Sequence, residues 1–353
     1  MKTFHCDACR QLVFFENTTC VQCQHRLAYV PTVGRVAALE STDEGEWTIA
    51  GGSDTHKRFR MCLNYTTQDV CNWAVDAADP SPLCQSCRLT TVIPNLDAPG
   101  HREAWLKLER AKRRMLYTLM ELDCPILGKH EDPEQGLAYQ FLSAMGSPGA
   151  VLTGHDNGLI TVNIAEADDT ERERQRVRLH EPYRTLLGHF RHEIGHYYWD
   201  RLITGKPRLE AFRALFGDEQ VNYQEALNRH YEQGPPPNWE ERFISAYAAT
   251  HPWEDWAESW AHYMHMVDML DTAGDAGLAL KPPTPGEPAL SRVRTHARMP
   301  FEKLMESWFP LTYILNNLNR SMGLPDGYPF VLAPAVIEKL RFVHETIREM
   351  SRA

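Results

Sequence analysis

Two histidines four residues apart, with a glutamate beside the first, are the residues of this chain best suited to hold a metal ion and do chemistry on it: His192-Glu193-Ile194-Gly195-His196. Leu186, Leu187, Phe190, Ile194 and Tyr198 recur at helical spacing around them, and Pro182 suits a first turn, so the motif is predicted on a helix. There the i, i+4 spacing stacks both imidazoles on one face, about one turn apart. Both can then reach one zinc, while Glu193 stands beside them to take a proton from a water that the ion activates. A third ligand is required. The stretch from Tyr247 to His262 supplies Glu254, Glu258 and His262 at successive i+4 steps, three groups that could ligate the ion or orient its ligands. Interleaved Trp253, Trp256, Ala257, Trp260 and Ala261 predict that this helix is buried, where unpaired carboxylates are costly. His189, His262 and His265 read as packing or hydrogen-bonding histidines, with His262 the fallback ligand.

A second chemistry lies upstream. All nine cysteines but Cys124 fall within the first 87 residues, the distribution of a local metal module rather than of chain-wide disulfides. Three C-x2-C pairs occur where chance predicts about 0.2. Cys6, Cys9, Cys20 and Cys23 form C-x2-C-x10-C-x2-C, two knuckles that complete a tetrahedral thiolate shell for structural zinc. Cys62, Cys71, Cys84 and Cys87 form C-x8-C-x12-C-x2-C, a second site with one proper knuckle. The segment between the sets is too small and polar to make a core alone, so a second ion would supply stability. Cys124 reads as a core residue.

The elements that must position these groups divide the chain of 353 residues into two expected domains, 1–95 as the zinc-ribbon module and 96–353 as a mostly helical unit. The fold class is α+β. An amphipathic helix opens the second domain after Pro99, its basic face (Lys107, Arg110, Lys112, Arg113, Arg114) read as solvated rather than as a nucleic-acid surface. Short strand-like runs around VLTG and GLITVNI predict an antiparallel hairpin with His155 in its turn. Further helices are expected at about 207–232, 238–248, 252–272, 300–321 and 334–351. A formal charge of −10 argues against global attraction to nucleic acid or anionic lipid. With no export signal or long apolar run visible, the expectation is a cytoplasmic protein without a membrane partner.

Three stretches, HFRHEIGHYYWDRL, FISAYAATHPWEDWAESWAHYMH and LPDGYPFVLAPAVIEKLRFVHETI, together with the ribbon cysteines, resemble the bacterial zinc-binding metallopeptidases that carry an N-terminal zinc ribbon. The peptidase domain of that family is similar to lethal-factor-type gluzincins, and the resemblance spans nearly the whole chain. It implies a zincin-like fold in which the third ligand is the first Glu of an E-x-x-x-E step, here Glu254. It also implies that a Tyr seven residues earlier, Tyr247, aids catalysis and that Glu258 supports a ligand histidine. By zincin analogy a strand of the hairpin, foremost GLITVNI, is expected to pair with extended substrate.

The reading is therefore a zinc peptidase acting on protein or peptide. Its rivals are an adaptor whose zincin domain does not hydrolyse, and a nucleic-acid-associated factor using the ribbon and the basic helix. Eight thiolates make two closed shells and three further ligands leave one open site, so elemental analysis of the purified protein is expected to find three zinc ions per chain, two structural and one catalytic. A count of two removes the second thiolate site.

Overall fold

A computed structural model of the chain describes residues 2–42, 45–52, 57–143, 153–178, 185–291, 293 and 299–350. The N-terminal module begins with two metal knuckles. Strands β1 (Phe4–His5) and β2 (Leu12–Val13) pair antiparallel around the first, and the knuckles close through left-handed Arg10 (φ 64°) and Gln24 (φ 63°). The chain then forms an antiparallel meander of β3 (Arg26–Val30), β4 (Arg35–Ser41), β5 (Trp47–Ile49), β6 (Phe59–Met61) and β7 (Ala74–Asp76), with the short helix α1 (Leu63–Thr66) before its last strand. Consecutive buried residues in β3 and β4 mean that both faces of the sheet are covered there.

The chain enters the second sheet at β8 (Thr90–Val92), so this strand, although it precedes residue 96, is built into the sheet that supports the histidine helix. Next come α2 (His101–Glu121), β9 (Ala138–Leu142), β10 (Gly154–Asp156) and β11 (Leu159–Asn163), and the strand order is β10-β11-β9-β8. The expected hairpin exists as β10 and β11, but its turn is Asn157-Gly158 and His155 lies within β10, opposite Ile160. Val151 and Leu152 of the VLTG run lie outside the described residues. Strand β11 cannot accept a substrate strand as expected, because it is antiparallel to β10 on one side and parallel to β9 on the other. Both of its hydrogen-bonding edges are used, and among the described residues the edge strands of this sheet are β10 and β8.

Helix α2 is only in part the solvated basic helix expected from its sequence. Its far face packs on the N-terminal module, where Tyr117 meets Phe15 and Tyr29 edge-on at 5.4 and 5.9 Å. Lys112, Arg113 and Glu109 are buried, Arg114 pairs with Glu16, and Lys107 approaches Glu103 and Asp169. Of the basic face read from the sequence, Lys112 and Arg113 are buried between layers, while Arg110 and Arg114 remain exposed and Lys107 half-exposed.

The helical layer consists of α3 (Asp169–Arg178), α4 (Leu186–Leu202), α5 (Leu209–Phe216), α6 (Tyr223–Gln233), α7 (Pro252–Asp275), α8 (Phe301–Ser321) and α9 (Pro334–Met350). Helix α4 starts where Thr185 accepts a hydrogen bond from the Gly188 amide at 3.0 Å, while Pro182 lies outside the described residues. The helix expected over 207–232 is two, broken at Gly217 (φ 104°) and restarted by an Asn222 cap. The one expected over 238–248 is only a 3-10 turn, Trp239–Glu241. Beyond it Ser245 captures the Ala248 amide through its side chain, a local bond that competes with helix. Among the described residues no helix is long and apolar enough to cross a membrane.

The crossing of α4 on α7 sets the site. Trp256 donates its indole N–H to the Gly195 carbonyl at 2.8 Å, and Tyr198 stacks on Trp260 at 4.7 Å. A Cβ at Gly195 would lie 3.0 Å from the Ala257 Cα and 3.2 Å from the Trp260 Cβ, so any side chain there would force the helices to give by a few tenths of an ångström. Overpacking of this kind costs about 1–3 kcal/mol, against a helix-propensity gain of about 1 kcal/mol for Ala over Gly. Gly195→Ala is therefore expected to lower stability by up to about 2 kcal/mol in denaturant titration. A variant as stable as the parent would show that the crossing has slack.

Candidate metal centre

Helix α4 presents His192 and His196, and the first turn of α7 presents Glu254, all buried. His192 Nε2 lies 3.0 Å from Glu254 Oε2 and 3.2 Å from His196 Nε2, and His196 Nε2 lies 3.5 Å from the same carboxylate oxygen. Two imidazole nitrogens and a carboxylate oxygen converging at these distances form a donor set that could hold a metal ion, and its N, N, O chemistry suits zinc. The residues fit the ion. Trp253 covers His196 with its ring centroid 4.0 Å away. Burial opposes the charge of Glu254, yet the neighbouring imidazoles hold its carboxyl well below the usual range.

His192 and Glu254 are each held by a further group. His192 Nδ1 lies 2.7 Å from Glu258 Oε1, and the other Glu258 oxygen accepts from the Ser245 hydroxyl at 2.6 Å. Burial would raise the Glu258 carboxyl, but these bonds and the charge of His192 hold it at about 2, so it stays an acceptor that fixes the His192 ring. The second Glu254 oxygen accepts from the Tyr223 hydroxyl of α6 at 2.8 Å. His196 Nδ1, in contrast, is buried without a partner among the described residues.

Glu193 is divided between its two oxygens. Oε1 meets His189 Nε2 at 3.1 Å, and His189 Nδ1 is hydrogen-bonded to Glu166. Oε2 is buried with no hydrogen-bond partner among the described residues. The cost of burying this carboxylate is outweighed by the positive charge of His189 and its neighbours, which lowers its affinity for a proton. Half-buried Tyr247 lies with its ring 5.9 Å from the His192 ring, and burial pushes its hydroxyl well above the usual range.

His262 bonds to the Tyr328 hydroxyl at 2.9 Å, and His265 accepts from Arg191 at 2.6 Å, so both are hydrogen-bonding histidines outside the donor set. His189 also hydrogen-bonds, but its partner is Glu193. Tyr223, Ser245 and Glu166 carry no sequence signal: each comes from a separate element and acts through one contact.

The cysteines gather as two clusters, in each of which the four sulfurs lie within 4.8 Å of one another. In the first, Cys6 and Cys23 are 3.5 Å apart and Cys9 and Cys20 are 3.6 Å apart, with Cys9 and Cys23 partly exposed. In the second, Cys62, Cys71, Cys84 and Cys87 are all buried, and backbone amides of Trp73, Cys84 and Cys87 each point at a sulfur at 3.4 Å. Cys124 is buried away from both.

The profile of a family described as "Putative zinc-binding metallo-peptidase" matches residues 101–346, and that of a zinc-ribbon domain matches residues 3–98. The chain belongs to this metallopeptidase family. Uncharacterized proteins of Mycobacterium bovis and of two strains of Mycobacterium tuberculosis are each 43% identical to it over 352 residues, covering 99% of this chain and 96% of the relative. No solved structure matches it at a significant level. The metallopeptidase match contains His192, His196 and Glu254, and the zinc-ribbon match contains both cysteine clusters.

The geometry separates the two acidic groups. Glu254→Ala is expected to abolish metal binding at the histidines while both thiolate clusters stay loaded. Glu258→Ala removes a support for His192 and is expected to weaken the same site only by about 10- to 100-fold. Metal titrations read by elemental analysis distinguish them, and the reverse ranking assigns the ligand to Glu258.

Proposed function

We propose that this protein is a zinc-dependent peptidase of gluzincin type, with His192, His196 and Glu254 as ligands, Glu193 as general base, Tyr247 as oxyanion donor and Glu258 as the orienter of His192. The observation that carries this reading is the buried, unpartnered Oε2 of Glu193 beside a converging N, N, O donor set. Held by His192, His196 and Glu254, a zinc ion would supply Lewis acidity that makes a bound water easier to deprotonate and the scissile carbonyl easier to attack. Glu193 Oε2 accepts the proton as water attacks, while Oε1 remains tied to His189 and keeps the carboxylate aimed. The same oxygen then hands that proton to the leaving nitrogen. Tyr247, whose hydroxyl burial keeps protonated, donates to the carbonyl oxygen as negative charge develops.

Extended substrate adds to the outer edge of β10, whose His155 ring lies 6.4 Å from that of His196. The ribbon module carries two structural ions, and cysteines held as metal thiolates rather than disulfides suit a reducing cytoplasm. The basic residues on which a nucleic-acid role would rely are mostly buried or paired in α2, which removes its support. An adaptor without hydrolysis has no use for an aimed base.

Glu193→Gln preserves shape and cannot take a proton. It is expected to keep the full metal content and to lose turnover by about 10²-fold or more. Comparison of new protein termini in cells producing the parent or the variant checks this. The same set of termini from both would sink the peptidase reading.

A further inference from the structure

Three charged side chains are buried in the middle of α2. Lys112 Nζ meets Glu109 Oε1 at 2.9 Å, and Arg113 Nη1 approaches Glu109 Oε2 at 3.5 Å, beyond good hydrogen-bonding range. Glu109 Oε1 also accepts from the Thr90 hydroxyl at 2.7 Å, and Lys112 reaches the same threonine. The trio carries one net positive charge with almost no access to water: Lys112 and Glu109 are 0% exposed and Arg113 2%. Lys112 is satisfied by Glu109, Thr90 and the faces of Tyr139 and Phe141 at 5.3 and 5.7 Å. Arg113 is left with a buried Nη1 that lacks a hydrogen-bond partner among the described residues. A cation in that position is costly unless an anion stands near.

The second cysteine cluster, whose Cys71, Cys84 and Cys87 lie within electrostatic reach of Arg113, is the candidate anion. Thr90, gripped by Glu109 and Lys112, is three residues beyond Cys87, so the turn that carries Cys84 and Cys87 is pinned directly to α2. Burial opposes the charge of Arg113, but the thiolates of Cys71, Cys87 and Cys84, with Glu109, more than offset it. Four thiolates around a divalent ion carry two negative charges, and in this cluster all four are cut off from solvent. The first cluster differs, since Cys9 and Cys23 are partly exposed and water can screen them.

We propose that Arg113 is the counter-cation of the second four-thiolate centre, so that metal loading of Cys62, Cys71, Cys84 and Cys87 and the docking of α2 on the N-terminal module form one coupled equilibrium. Arg113 is a positioning residue in this scheme and touches no substrate. The coupling extends toward α4, because Thr118 of α2 accepts from Arg191, the neighbour of His192, at 3.3 Å. It holds whether or not the protein hydrolyses peptides.

The test uses the full chain reconstituted with cadmium-113, whose NMR resonances separate the two thiolate centres. A Cys9→Ser variant identifies the first, and chelator is titrated in. Arg113→Met is expected to release metal from the second centre at about 10- to 100-fold lower chelator, with the first centre unmoved. Arg113→Lys should recover most of the loss, which a purely steric role would not predict. Equal retention in Arg113→Met, equal weakening of both centres, or no second thiolate resonance in the parent overturns the proposal. Should the methionine variant fail to fold, hydrogen exchange on the parent decides. Protection of α2 amides is expected to fall with the second resonance, and a fall that instead follows the first refutes the coupling.

Discussion

The close crossing of α4 and α7 is the constraint on which the site depends. Glycine at position 195 lets the two backbones approach, with Trp256 capping the Gly195 carbonyl and Trp260 stacked on Tyr198. That approach brings one oxygen of Glu254 to both imidazoles and carries Glu258 to the far nitrogen of His192. Two carboxylates four residues apart on one helix thus face a pair of histidines four residues apart on the other. Aromatic packing supplies the rigidity that metal ligands require, because a ring wedged between helices has few alternative rotamers.

Electrostatics then decides what each buried group can do. Glu193, Glu254 and Glu258 all pay a desolvation cost and all keep their negative charge, because each is in reach of an imidazole. Their differences come from how their oxygens are occupied. Both Glu258 oxygens are spoken for by His192 and Ser245, and Glu254 faces two histidines and Tyr223. Glu193 alone among the three has an oxygen with no partner among the described residues. An acceptor left bare in a buried site is where proton transfer can occur without first breaking a bond.

The N-terminal module is not a loose appendage. Its small sheet packs on α2 through Phe15, Tyr29 and Tyr117, and its last turn leads straight into β8 of the sheet beside the site. The same helix faces the cysteine sheet on one side and α4 on the other, where Arg191 bridges Thr118, His265 and Asp268. A metal ion bound by the ribbon cysteines would therefore help to define the platform under the histidines, as well as folding its own loops.

The sequence by itself determined the chemistry that spacing can encode. Two histidines one turn apart, acidic residues at i+4 steps on an aromatic-rich helix and paired cysteines are local patterns, and helix or knuckle geometry converts them into clusters. It also determined the α+β division into a ribbon and a helical unit. Only the tertiary structure decided how separate elements meet. That β11 is interior, with β10 outside it as an edge strand among the described residues, depends on pairing with β9, a strand from before the hairpin. Tyr223 and Glu166 reach the site from elements whose own periodicity says nothing of it. Lys112 and Arg113 look like a solvated face because charge periodicity on a helix has the same appearance whether water or a buried counter-charge lies opposite, and only the packing of the whole chain tells which.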